Sequence, residues 1–328
     1  MTTKKDFDSL TEQTVEIEGK PRKTKDFLPD YYKTLGDGTL ELLGIPTGFN
    51  KLDEATLGLD GLIVLGGIAG AGKTSLALQL AFNASDTGTP TIFYSLEMPR
   101  RAIFTKILNR LAEVKYSKIL LKGRQYLMDI VAPKILSDDE VDRLKAGKKL
   151  LEKIGDSFYL RTRERDEAEI NFNTVENEIN FIKADHRAER VFVVIDHLQI
   201  FDVLGGYSDQ IDKENKLITG FKGISEKTGA VILLISQKNK AGFTSKGLQT
   251  IKGSVDIVYL ADVVMFLETE DEKKTLNAQE AEQLGSIIAT FGGAITAPVD
   301  LIIGKNRYNA PTTIKLSFNG EYSKFSEA

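Results

Sequence analysis

The chain has 328 residues, 41% hydrophobic and 27% charged, with a formal net charge of −4. That length holds one large α/β domain or two small ones, and the acidic balance argues against a globally basic nucleic-acid binder. The absence of cysteine excludes disulfides and thiolate metal sites, and His186 and His197, the two histidines, are too far apart for a local zinc motif.

Residues 1–25 mix acids and bases with few apolar side chains and read as a flexible tail. MTTKKDFDSL at the N-terminus lacks a signal-peptide apolar region, and no apolar run approaches a membrane span. A cytosolic protein is the default expectation. Residues 26–43 read as a linker helix: Phe27, Leu28, Tyr31, Tyr32 and Leu35 approximate helical spacing around Pro29, ahead of a Gly36-Asp37-Gly38 break. Its apolar face either folds back on its own domain or docks on a neighbouring subunit.

Residues 44–328 read as a second domain, opening with a turn-rich stretch to Gly61. Leu62-Ile63-Val64-Leu65 is short and apolar enough for a buried strand, and a helix-favouring segment follows from Leu76 to Asn83. Between them lies GIAGAGKTS, Gly67 to Ser75, which fits the phosphate-loop pattern of Gly, four residues, Gly, Lys, then Ser or Thr. Glycines let successive backbone N–H groups turn inward around phosphates, and the helix start adds a favourable dipole. Lys73 would reach the β- and γ-phosphates, and Thr74 would hold a magnesium ion.

The alternation continues. Strands are expected at Thr91–Ser95, Phe158–Leu160, Val191–Asp196, Ala230–Ser236, Asp262–Leu267, Val299–Arg307 and Thr312–Phe318. Helices are expected at 101–114, 125–131, 138–154, 173–183, 213–227 and 278–289. Near-continuous apolar strands separated by helices indicate an α/β fold, a mostly parallel twisted sheet covered on both faces. The last two strands read as a C-terminal β-hairpin.

Ligands in such sheets bind at the carboxyl ends of the strands, so those ends carry the candidates. Asp196 ends VFVVID and is the residue type that holds magnesium through water beside Thr74; it reads alternatively as a helix cap. Glu97, just past TIFYS, could act as general base or be a surface glutamate. Gln237, after AVILLIS, either senses a γ-phosphate or is polar because the strand ends at the surface. His197 reads as a structural neighbour of Asp196. Lys305 and Arg307 share one face of a strand, as a solvated cationic edge or as fingers reaching a phosphate in an adjacent subunit.

Lys238, Lys240, Lys246 and Lys252 fall in a glycine-bearing stretch with no acidic residue, a candidate loop for a nucleic-acid backbone or simply a solvated one. The basic residues of 100–124, including Lys106 and Arg110, read mostly as a helix's solvent face.

Taken together, GIAGAGKTS, YSLEMPR, VFVVIDHLQI, LLISQKNKA and GKNRYNAP resemble the C-terminal motor domain of DnaB-type replicative helicases, members of the RecA-like ATPases. The resemblance runs from about Gly44 to Phe325. It implies a RecA-like phosphate-loop core in which Gly67, Gly70, Ala71, Gly72, Lys73, Thr74 and Ser75 cradle ATP, with Mg2+ on Thr74 and Asp196. It further implies Glu97 as the catalytic glutamate, Gln237 as the coupler to the following DNA loop, and Lys305 and Arg307 acting in trans on the next protomer's ATP. The family forms hexameric rings that move 5′ to 3′ on single-stranded DNA, and the linker helix packs on the adjacent subunit. Its members also carry an N-terminal helical domain that engages primase, for which residues 1–25 leave no room. A helicase loader and a primase thus stand as unproven partners, and the compact chain looks like a phage or plasmid version of the motor. His197 stands where the family often has Tyr.

The expectation is an ATP-hydrolysing, ring-forming replicative DNA helicase. The alternatives are a RecA-fold ATPase that forms a filament or regulatory ring without unwinding, and an interaction protein that uses nucleotide only to hold an oligomer together.

Overall fold

Strands made of Val, Ile, Leu and Phe with no polar face require cover on both sides, and the chain supplies it with helices between them. A computed structural model describes residues 23–29, 32, 43–121, 135–164, 169–203, 206–237, 259–269 and 296–328. The chain divides into two units, Met1–Glu41 and Leu42–Ala328. In the first, a 3-10 turn at Thr24–Asp26 is closed by the Lys23 N–H donating to Asp26 Oδ2 at 3.2 Å, with helical backbone at 28–29 and 32.

In the second unit the strands are β1 (Leu62–Gly66), β2 (Thr91–Ser95), β3 (Phe158–Thr162), β4 (Phe192–Asp196), β5 (Val231–Ile235), β6 (Val263–Thr269), β7 (Thr296–Asn306), β8 (Thr312–Asn319) and β9 (Lys324–Glu327). They form one sheet in the order β3-β2-β4-β5-β1-β6-β7-β8-β9. Pairing is parallel from β3 to β6 and antiparallel from β6 to β9. The unit's helices include α1 (Asn50–Thr56), α2 (Lys73–Asp86), α3 (Arg100–Ala112), α4 (Asp138–Lys153), α5 (Phe172–His186) and α6 (Gln210–Thr228).

Every residue of β1, β2, β4 and β5 is buried. Alternation divides them between two cores. Ile63 and Leu65 face the side of α2 and α3, where they meet Leu76, Leu80 and Ile103. Leu62 and Val64 face the side of α5 and α6, where they meet Ile179, Leu217 and Phe221. Helix α2 is buried almost all round, with Lys73, Ser75, Gln79 and Ser85 among its buried residues, because its own domain encloses it. Side chains fix several helix starts: Ser137 and Glu140 form a reciprocal capping box on α4, Asn171 caps α5, and Asp209 caps α6.

In the second unit the expected strands and helices are present wherever they fall on described residues, with boundaries differing by up to three residues, and the linker helix read over 26–43 lies largely outside the described residues. Helix α6 begins at Gln210 rather than 213, because the Asp209 carboxylate accepts from the Asp212 N–H at 2.8 Å. The expected C-terminal hairpin is β7–β8, and β9 adds a third antiparallel strand. Gln79 of α2 clamps β9, donating to the Phe325 carbonyl and accepting from the Phe325 N–H, each at 2.9 Å. The stretch read as turn-rich also contains α1, which buries Leu52. The helices expected at 125–131 and 278–289 lie outside the described residues.

Candidate active site

Sheet order places the carboxyl ends of β2, β4, β5 and β1 side by side. Glu97, Asp196, Gln237 and the glycine loop follow those four ends in turn. The loop turns from β1 into α2 by means of glycines that no other residue could replace without strain. Gly72, at φ 93°, caps the helix, and a Cβ there would lie 2.9 Å from the Phe325 ring. At Gly67 a Cβ would come within 2.9 Å of the Leu267 carbonyl, whereas Gly70 opens onto free space. Ala71 and Ser75 are buried in the loop's walls. Lys73 is 8% exposed, and its ammonium donates to the carbonyls of Gly67 at 2.8 Å and Ile68 at 2.7 Å. A buried cation therefore sits inside the loop, at the positive end of a helix dipole.

Asp196 is 2% exposed at the end of β4, and its carbonyl accepts from the Leu96 N–H at 2.7 Å, which ties the ends of β2 and β4 together. Burial pushes its carboxyl up to about 6, against the lowering effects of the Thr74 hydroxyl bond and of His197 and Lys73. Oδ2 is buried without a hydrogen-bond partner. A desolvated carboxylate oxygen beside a threonine hydroxyl fits a magnesium ion, which takes one or two carboxylates plus phosphate oxygens. Among the described residues no group of three acidic or histidine side chains could hold a metal ion by itself. The fit therefore depends on the phosphates being present.

Glu97 is largely exposed, and its Oε2 stands 3.5 Å from His197 Nε2. His197 is 8% exposed, with Nδ1 3.1 Å from Gln199 Oε1. The Gln237 backbone N–H also points to Gln199 Oε1, at 3.4 Å, while Gln199 Nε2 donates to Ser236 Oγ at 2.9 Å. A backbone N–H can only donate, which fixes the Gln199 amide orientation and makes His197 Nδ1 the donor to its Oε1. The Gln237 side chain is exposed.

Lys106 and Arg110 differ from the expected solvent face. Lys106 is half-buried on α3 and donates to Ser75 Oγ at 3.3 Å; burial pulls its pKa down, opposed by the charge of Asp196. Arg110, one turn on, lies 4.7 Å over the Phe82 ring, and burial lowers its pKa to about 10. The apolar stripe of α3 was legible, but which of its basic residues turn toward α2 depends on how the two helices cross.

Lys305 and Arg307 lie at the other end of the sheet. In the register, Ile302 stands opposite Phe266 and Asn306 opposite Val263, while Phe266 pairs with Gly66 and Val263 with Ile63. β7 thus runs away from the phosphate loop. Lys305 Nζ donates to the carbonyls of Tyr259 at 3.0 Å and Ala261 at 2.6 Å, and burial leads the lowering of its pKa. Arg307 Nη1 pairs with Asp262 Oδ1 at 2.6 Å. Asp262, which sequence reading passed over, is 2% exposed, pairs with Lys222 at 2.8 Å, and accepts from the Leu62 N–H at 2.8 Å. Lys238, Lys240, Lys246 and Lys252 lie outside the described residues.

A parallel sheet with a glycine loop between its central strand and a buried helix, a lysine inside that loop and a buried aspartate two strands away define a phosphate-loop nucleotide-binding α/β domain. The chain belongs to the family of DnaB-like helicase C terminal domains, whose model matches residues 44–327. It is 24% identical over 307 residues to the replicative DNA helicase DnaB of Rickettsia prowazekii, which covers 87% of this chain and 58% of that protein. Against DnaB of Leifsonia xyli it is 26% identical over 301 residues, 89% of this chain and 57% of that one. The chain thus spans somewhat over half the length of these relatives. Among solved structures the fold matches a chain described as an ATPase domain, with a TM-score of 0.76 at 19% identity, over 94% of this chain and 99% of that one. It also matches a DnaB-like replicative helicase described with its interactions with primase, with a TM-score of 0.73 at 19% identity, over 94% and 67%.

Proposed function

We propose that residues 44–328 are the ATP-hydrolysing motor of a ring-forming replicative DNA helicase that moves 5′ to 3′ on single-stranded DNA. One observation carries the shared-site reading: Lys73, Asp196 and Glu97 stand at one end of the sheet, and Arg307 stands at the other. The five residues of β1 separate those ends by roughly 16 Å. A finger held by Asp262 faces away from its own phosphate loop, so the phosphate within its reach belongs to another copy of the chain.

In this reading Gly67, Gly70, Ala71, Gly72 and Ser75 wrap the phosphates with backbone N–H groups, and Lys73 exchanges its two carbonyl partners for phosphate oxygens. Thr74 and Asp196 would hold magnesium, which when bound offsets charge on the β- and γ-phosphates. Glu97 takes a proton from the attacking water, and His197 stands beside it, with Nε2 3.5 Å from Oε2. Lys106 adds a second cation on the Ser75 side. Lys305 and Arg307 of the next protomer stabilise charge on the transferring phosphoryl group, and Gln237 links that state to the segment bearing Lys238, Lys240, Lys246 and Lys252, which contact the DNA backbone. Residues 26–43 dock on a neighbouring subunit of a hexamer. Primase and a loader are the protein partners this assembly would take, in the cytoplasm of a bacterial cell or in phage or plasmid replication.

The test is strand displacement from a forked duplex with a 5′ tail, with ATP and Mg2+ present. Displacement together with faster ATP turnover on single-stranded DNA supports the helicase. DNA-stimulated turnover without displacement favours a filament or regulatory ring, and no turnover leaves only an interaction protein.

A further inference from the structure

Between the candidate general base and the strand end that leads to the DNA-contacting segment, polar side chains form a continuous path. It runs from Glu97 Oε2 to His197 Nε2 at 3.5 Å, from His197 Nδ1 to Gln199 Oε1 at 3.1 Å, and from Gln199 to Ser236 Oγ at 2.9 Å and the Gln237 N–H at 3.4 Å. We propose that Gln199 is a positioning residue that couples the placement of Glu97 to the backbone at Gln237. This inference rests on the helicase reading of the site.

The surroundings of Gln199 favour such a role over simple packing. Its backbone sits in a 3-10 turn, Leu198–Ile200, fixed on both flanks by the fully buried Leu198 and Phe201. Phe201 packs against Phe172 and Phe221 at centroid distances of 5.3 and 4.9 Å. Lys213 of α6, itself 7% exposed, donates to the Gln199 carbonyl at 2.9 Å, and Arg163 donates to the Ile200 carbonyl at 2.5 Å. The turn is thereby a rigid mount, and the Gln199 side chain is the adjustable part on it.

Its amide bridges two strand ends by the complementary use of both groups. Oε1 faces two donors, on His197 and Gln237, and Nε2 serves one acceptor, on Ser236. A shift of the Gln237 backbone therefore pulls on the same oxygen that orients the imidazole beside Glu97. Because β4 and β5 are adjacent in the sheet, this path crosses one strand spacing and needs no other element to move.

The experiment measures ATP turnover by the full chain with and without single-stranded DNA, for wild type, Gln199→Met and Ser236→Ala. Methionine keeps an unbranched side chain of similar length but cannot make these hydrogen bonds. For Gln199→Met the expected result is a roughly tenfold loss of DNA stimulation of kcat, the scale of losing one or two net hydrogen bonds. KM for ATP should stay within about twofold, as should DNA affinity, because no phosphate or DNA contact is removed. Ser236→Ala should lose stimulation in the same direction by a smaller factor. Wild-type stimulation in Gln199→Met, or an equal fall of kcat with and without DNA, overturns the coupling role and leaves Gln199 a packing residue. A wild-type chain that DNA does not stimulate removes the helicase reading and this inference with it.

Discussion

Arg307 and Asp262 form a 2.6 Å ion pair at the end of the sheet remote from the phosphate loop, and the Arg307 N–H also donates to the Asp262 carbonyl at 3.0 Å. Asp262 is buried and shared with Lys222, so one carboxylate anchors two cations and fixes where the exposed guanidinium starts. In the proposed ring Arg307 reaches from this anchor into the neighbour's site. Arg307→Ala should lower turnover of the assembled protein by about 10³-fold or more while ATP binding persists. Arg307→Lys should recover little, because an ammonium lacks the planar fork. Single-turnover hydrolysis on assembled protein checks both; near-normal turnover by Arg307→Ala would remove the finger.

Lys106 joins the site only through the packing of α3 on α2, yet it stands 3.3 Å from Ser75 Oγ inside the loop. Lys106→Met should raise KM for ATP roughly tenfold, on the scale of one charge-assisted hydrogen bond. The melting temperature should hold or rise, because a charge partly desolvated by packing is removed. Titration with a fluorescent ATP analogue reads the affinity, and unchanged binding would return Lys106 to a structural role.

Most of the chemistry was legible because it follows strands whose apolar runs are unmistakable. GIAGAGKTS, Glu97, Asp196 and Gln237 all fall at the ends of such runs, and the strand-end rule alone points to them. Elements held by long-range contacts were not legible. β9 is four residues with Phe325 its buried residue, and it exists because Gln79, 246 positions away, binds its backbone. Helix α1 was hidden in turn-forming residues; the Asp53 carboxylate accepting from the Thr47 N–H at 2.8 Å organises its start. Lys106 and Asp262 share that history, since helix crossing and sheet register, not local pattern, bring them to their partners.

The pH response follows from Asp196, whose carboxyl is pushed up to about 6 by burial from an ordinary value of 3.8. Between those values the folded chain holds a proton that the unfolded chain has released, so this group's contribution to stability falls as pH rises from about 4 to 6. Asp196→Asn should therefore raise the melting temperature of the nucleotide-free protein at pH 8 and flatten its dependence over that window. The same substitution should weaken magnesium-dependent ATP binding. Thermal denaturation from pH 4.5 to 8 checks the sign; lower stability of Asp196→Asn at pH 8 would contradict the burial argument.

Gly72→Ala combines a left-handed backbone with a Cβ 2.9 Å from the Phe325 ring. It should cost about 1–3 kcal/mol of stability and weaken ATP binding together. Denaturant midpoints with and without nucleotide check it, and full stability with normal binding would show that the loop is more tolerant than this geometry allows.

The central claim is that one catalytic site is divided between two copies of the chain, and subunit mixing tests it most directly. Lys73→Ala lacks the loop cation but keeps its finger; Arg307→Ala lacks the finger but keeps its loop. Each alone should be nearly inactive. Co-assembled in equal amounts, they should regain ATP turnover well above the sum of the two, because some interfaces then join an intact loop to an intact finger. Turnover no greater than that sum, in mixtures shown to contain both subunits in one particle, would contradict the shared site.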